Sequence, residues 1–134
     1  AAVQINTGSG CHLDAHMVAH AFAQLAPPRD AVLMIENVGN LVCPAGFACG
    51  ESRRVVIVST AEGDDKPEKY PAAIASADLL VVSKLDLLPH TNFDVQHCIA
   101  SARRIRPGLP ALALSARSGE GLGGWLRWVQ EGSP

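Results

Sequence analysis

Five short apolar runs, each closing on a polar or glycine-bearing loop, constrain this chain more than any other feature. They lie at residues 2–6, 31–36, 54–59, 79–83 and 111–115. Each is leucine-rich or β-branched and lacks polar alternation, which is the pattern of parallel strands covered on both faces. Between them lie helical patterns near residues 13–25, 70–75 and 94–104, and a last one near 121–131 carries Trp125 and Trp128. In the first helix Leu13, Met17, Ala21 and Leu25 recur every four residues and predict its core face. Strand and helix in alternation predict an α/β fold, a parallel sheet with flanking helices. The 134 residues are read as one domain, residues 1–134.

Ligands of such sheets bind beyond the carboxyl ends of the strands. The segments there are "TGSGCH", "ENVGNLVCP", "TAEGDDKP", "KLDLLP" and "ARSGEG", and the functional site is expected among them. The formal net charge of −2 gives no basic excess for nucleic acid. No apolar run nears the roughly 20 residues that span a bilayer, and the start lacks a signal-peptide pattern. The expected partners therefore include neither nucleic acid nor membrane. Cys11, Cys43, Cys49 and Cys98 are too sparse for a disulfide scaffold and read as thiols, some of them ligands.

"VVSKLDLL" ends a strand in Ser83, Lys84, Leu85 and Asp86. It looks like the Asn-Lys-x-Asp guanine motif of GTPases, with serine in the asparagine position. An ionised Asp86 can accept two hydrogen bonds, from N1–H and the exocyclic amine of guanine, a pair that adenine cannot donate. The Lys84 stem can lie over the base. The plain alternative is a solvated strand end. "LSARSGEGL" resembles the loop whose backbone N–H groups meet the guanine O6, and Ser115, Ala116 and Arg117 fall on it. In "IENVGN", Glu36 stands where GTPases carry a carboxylate for Mg²⁺ and water, and Gly39 leaves room for an N–H to approach a phosphate. The alternative is a turn built on Asn-x-Gly-Asn.

"SGCHLDAHMVAH" sets Cys11 beside His12, a nitrogen-and-sulfur pair, with His16 and His20 following at helical spacing. His16 and His20 are expected to be solvated on a helix flank, and Cys98 to be a small packed hydrophobe. Cys49 is open between an accessory ligand, an exposed thiol and no role.

"INTGSGCHLDAHM", "IENVGNLVCP", "EGDDKPEKYP" and "NFDVQHCIASAR" resemble the HypB family, GTPases that help insert nickel into [NiFe]-hydrogenases. The resemblance implies an incomplete P-loop GTPase G domain of the class that includes signal-recognition-particle and MinD-like NTPases. It implies GTP or GDP with Mg²⁺, and a Ni²⁺ or Zn²⁺ site at Cys11, His12 and Cys43 shared across a homodimer. It further implies a cytoplasmic setting, with hydrogenase maturation proteins and the hydrogenase large subunit as partners. Lys66 and Lys69 are then expected on a switch-like loop, near phosphate or a second subunit. No G-x-x-x-x-G-K-[S/T] occurs in the 134 residues, so the chain is expected to be a shortened relative or a piece of a longer one.

Overall fold

The fold was described from a computed structural model of the chain, in which residues 1–8 and 10–131 are described. The chain divides into two compact units, Ala1–Ser52 and Arg53–Pro134.

The first unit is organised by helix α1 (Ala15–Leu25). Asp14 starts it, its carboxylate accepting the Met17 N–H at 2.8 Å and so satisfying an end donor. Ala26 ends it in a left-handed conformation (φ 44°), its N–H bonded to Phe22 O, and Pro27 and Pro28 follow. Leu13, Val18 and Cys49 form the small core, with Ile5, Met17 and Ile35 packed against them. Val18, one residue off the predicted stripe, is the buried residue of α1. A single 3₁₀ turn, Cys43–Gly46, follows the extended segment around Glu36.

Residues 2–6 and 31–36, expected as strands, join no ladder among the described residues. Val32, Leu33 and Met34 stay exposed there. Apolar sequence reports a tendency to be covered. A parallel strand also needs a neighbouring backbone to take its N–H and C=O groups, and among the described residues these segments have none.

The second unit carries the sheet. Strands β1 (Val55–Ser59), β2 (Leu79–Ser83) and β3 (Ala111–Ala113) run parallel in the order β1-β2-β3. Ile57 pairs with Val81, which pairs with Leu112. The central strand β2 is buried from Leu79 to Val82, as its unbroken apolar run requires. One face meets helix α4 (Val95–Ile105), whose Cys98, Ser101 and Ala102 recur at helical spacing and are fully buried. Asp94 caps α4 by accepting the His97 N–H at 3.0 Å. On the other face Leu79, Val81 and Leu114 pack with Trp125 and Trp128 of helix α5 (Leu122–Glu131). Arg53 lies over the Trp128 ring at 3.8 Å and donates to Trp128 O and Val129 O. A cation is thus placed on the last carbonyls of α5, where the helix end is negative.

The segment expected as a loop around Lys66 contains a short helix, α2 (Lys66–Lys69), which runs directly into α3 (Pro71–Ser76), the helix expected near residues 70–75. Each begins with proline in its first two positions, where a missing N–H costs nothing. Glu68 on α2 accepts from Ser101 at 2.9 Å and from Arg104, tying α2 to α4. Lys66 pairs with Glu62 at 2.8 Å and Lys69 with Asp65 at 2.7 Å, so both amines are engaged within their own segment.

β3 is shorter than its apolar run because Leu114 and Ser115 turn into the glycine loop. Gly121 makes that turn possible: its φ is 74°, and a Cβ there would stand 2.2 Å from Ala113 O. Both the backbone conformation and the missing side chain are required. Gly121→Ala is therefore expected to destabilise the protein by about 2–4 kcal/mol, read as a lower urea midpoint. An unchanged midpoint would show that the turn relaxes freely.

Candidate functional site

In the second unit the ends of all three strands meet around Lys84 and Asp86. Lys84 adopts the left-handed conformation (φ 62°, ψ 43°), rare for a residue with a side chain. Its backbone is held from both sides. Thr60, just beyond β1, donates its N–H to Ser83 O at 3.0 Å and its hydroxyl to Lys84 O at 2.6 Å. Leu85 N–H donates to Leu114 O at 3.2 Å, beyond β3. This reversal aims Asp86, in the first turn of the 3₁₀ segment Leu85–His90. Ser115 then donates its hydroxyl to Asp86 Oδ1 at 2.5 Å.

The Ser115 loop is itself closed. Its N–H bonds Glu120 O, its carbonyl accepts from Gly119, and its Oγ accepts from Ser118 N–H at 3.2 Å. Ser115 is fully buried, while Ala116 and Arg117 are exposed at the rim. The structure thus brings Asp86 and Ser115 into contact and sets the 116–117 backbone beside them in sequence. Ser83 spends its hydroxyl on Val58 O at 3.4 Å. Beside this loop Glu62 takes the Ser59 N–H and the Lys66 amine. Partial burial pushes its carboxyl upward, but those two hydrogen bonds and the Lys66 and Lys84 charges outweigh it and lower the pKa.

In the first unit Cys11 is the hub. Its Sγ lies 3.5 Å from His12 Nδ1, with donor and acceptor set by the imidazole tautomer. Its pKa is raised, chiefly by hydrogen bonding with the neighbouring Cys43 thiol, with desolvation and the Cys43 charge adding to it. The exposed thiol is therefore mostly protonated at neutral pH. Asn40 presents Cys43, its Oδ1 accepting the Val42 and Cys43 N–H groups at 3.0 and 2.9 Å. His12 stacks on Phe47 with centroids 4.0 Å apart. These are pairwise contacts: among the described residues no group of three or more His, Cys, Asp or Glu side chains stands ready to hold a metal ion.

Glu36 and Gly39 lie in the same unit and are exposed. Nothing stands within 4 Å of where a Cβ on Gly39 would be, so this glycine is not demanded by its own surroundings. Asn37 between them accepts the Leu13 N–H at 3.1 Å and the Val38 N–H at 2.8 Å, tying the Glu36 loop to the loop of Cys11 and His12.

His16 and His20 are exposed on α1, while His12 precedes its Asp14 cap, so the three histidines form no continuous helical stripe. Cys98 is fully buried in the α4 core, and its thiol is pushed up to about 11 by burial and then by the Asp64 charge. Cys49 is buried too, its thiol donating to Leu13 O at 3.5 Å and accepting from Asn37 at 3.8 Å. It packs and is not the exposed thiol that was one of its alternatives. Thr60, Asn37 and Asn40 were not singled out in the sequence. Asn37 and Asn40 had a signal, as the two ends of the Asn-x-Gly-Asn turn. No helix among the described residues is long and apolar enough to cross a membrane.

The pattern of the CobW/HypB/UreG nucleotide-binding domain family matches residues 1–113. Hydrogenase maturation factor HypB of Azotobacter vinelandii is 59% identical over 129 residues, which is 96% of this chain but 43% of that protein. The chain thus spans less than half of that relative's length. The crystal structure of HypB from Archaeoglobus fulgidus superposes with a TM-score of 0.88 at 40% identity, over 95% of this chain and 67% of that one. That of HypB from Helicobacter pylori in complex with nickel gives 0.90 at 35% identity, over 96% and 62%. The parallel sheet and flanking helices are the fold these structures share with it. The chain belongs to the CobW/HypB/UreG nucleotide-binding domain family, and within it to HypB.

Proposed function

We propose that this chain is the base-reading and metal-binding portion of a GTP-dependent nickel chaperone for [NiFe]-hydrogenase maturation. The observation that carries the reading is the Asp86–Ser115 contact, with Lys84 reversed beside it. A carboxylate fixed at one strand end, beside a loop of backbone N–H groups at the next, suits the donor edge and O6 of guanine. Glu36 is assigned to Mg²⁺ and the attacking water, and Gly39 to the phosphate side. Cys11, His12 and Cys43 are assigned to the cargo metal, Ni²⁺ or Zn²⁺, since thiolate and imidazole suit both.

The stretch from Glu36 to Cys43 belongs to both assignments. Asn37 and Asn40 hold it against the Cys11 loop and around Cys43. Nucleotide and metal occupancy can therefore be coupled through it, and the coupling would act in both directions. Three ligands per chain favour a homodimer that shares the metal. The whole chain is then part of one G domain acting in the cytoplasm, with hydrogenase maturation proteins and the hydrogenase large subunit as partners.

A second reading, a metal-binding or interaction fragment without turnover, is favoured for these 134 residues alone by the missing G-x-x-x-x-G-K-[S/T]. That loop supplies the N–H groups and lysine that stabilise a transferring phosphoryl group. The 134-residue chain by itself is accordingly expected to hydrolyse GTP negligibly, while the intact gene product turns over GTP in preference to ATP. Phosphate release assays on both proteins test this. Saturable Mg²⁺-dependent turnover by the 134 residues, lost in Asp86→Ala, would overturn the expectation. Equal turnover of ATP by the intact product would overturn the guanine reading.

A further inference from the structure

We infer that Thr60 is a positioning residue for guanine discrimination, holding the Ser83–Asp86 loop in the reversed conformation that aims Asp86. The inference rests on the reading of Asp86 and the Ser115 loop as the guanine site. Thr60 is fully buried just beyond the end of β1. Its hydroxyl donates to Lys84 O at 2.6 Å and its N–H to Ser83 O at 3.0 Å. These are the two carbonyls that bracket the left-handed turn.

Lys84 pays for its φ of 62° with backbone strain, because its Cβ crowds the following carbonyl. A lysine keeps that conformation when its surroundings over-determine it. Leu85 N–H is fixed to Leu114 O on one side, and Leu87 N–H bonds Lys84 O from within the turn. Thr60 supplies the remaining contact, from the opposite neighbouring strand. Without its hydroxyl the Lys84 carbonyl keeps only the local turn bond. The peptide is then free to tip, and Asp86 is two residues away. Ser115 would still bond the carboxylate, so the site would persist but lose its aim.

The test uses the intact gene product with Thr60→Val, which keeps the shape and removes the hydroxyl, and Thr60→Ser, which keeps the hydroxyl. Affinities for GTP and inosine triphosphate are measured by competition against a fluorescent guanine nucleotide. Inosine lacks the exocyclic amine, so the GTP-to-ITP ratio reads the aim of Asp86 directly. The folded fraction of each variant cancels in that ratio. In Thr60→Val the ratio is expected to fall roughly three- to tenfold, the worth of one hydrogen bond, and in Thr60→Ser to return to the wild-type value. A ratio unchanged in Thr60→Val, with or without equal loss of both affinities, would leave Thr60 a packing residue and overturn the inference. A wild-type protein that does not prefer GTP to ATP would overturn the guanine reading itself, and the inference with it.

Discussion

Cys11→Ala is expected to weaken Zn²⁺ and Ni²⁺ binding by at least about a hundredfold, because loss of a ligand should exceed the roughly 10–100-fold that losing an outer-shell partner costs. Cys11 lies beside His12 and senses Cys43, so its removal takes away the ligand common to both. Cys43→Ala should act similarly, with Asn40 still holding an empty turn. The double substitution His16→Ala/His20→Ala should change little, since both rings stand in solvent on α1. Isothermal titration of the three variants separates the sites. If the histidine pair abolishes binding and the cysteines do not, the metal sits on the helix and the loop assignment is wrong.

The pH dependence has a definite sign. A metal binds the thiolate, and the Cys43 hydrogen bond favours the protonated form of Cys11 by raising its pKa. The metal must displace that proton, so affinity should rise with pH through neutrality and fall toward acid pH. Zn²⁺ takes four ligands in a tetrahedron, and one chain offers three side chains here. Metal should therefore promote association of two chains, seen as a shift in sedimentation that Cys11→Ala removes.

The elements with strong local codes were legible in the sequence. The apolar repeat at every fourth residue announced α1, the helical pattern at 94–104 announced α4, and the unbroken apolar run of β2 announced a buried strand. The segments at 2–6 and 31–36 were misread because hydrophobicity fixes a wish for cover, whereas a ladder depends on a partner backbone that no local pattern encodes. The helix at Pro71 was legible, whereas the one at Lys66 was obscured by charge, although its proline in the first turn and the Glu62–Lys66 and Asp65–Lys69 spacings point to it. Asp86 and Ser115 could be paired from motif resemblance alone. Thr60 could not, since its role lies in a hydrogen bond to the carbonyl of a residue 24 positions away. Asn37 was visible as a turn residue, but its bond to Leu13, which also spans 24 positions, was hidden in the same way.

Asp86→Asn in the intact gene product should convert a guanine site into one that prefers xanthine. Guanine offers two donors, N1–H and the exocyclic amine, and a carboxylate accepts both. Hydrogen bonds to a charged group are each worth about 1.5–3 kcal/mol. Asparagine keeps one acceptor and turns an NH₂ donor toward the second guanine donor, so one bond is lost and a repulsion is gained. GTP affinity should fall by roughly a hundred- to a thousandfold. Xanthine carries an oxygen where guanine carries the amine, and it accepts from the new NH₂, so xanthosine triphosphate should gain. Ser115 helps this exchange, because its hydroxyl, bonded to Asp86 Oδ1 at 2.5 Å, can equally donate to the asparagine oxygen and set the amide's orientation. The substitution is nearly isosteric and half-buried, so the fold should survive and the loss should appear in nucleotide choice. Competition of GTP, ATP and xanthosine triphosphate against a fluorescent nucleotide reads the outcome. Unchanged GTP binding by Asp86→Asn would remove Asp86 from the base site, and the Ser115 contact would then be a loop staple only.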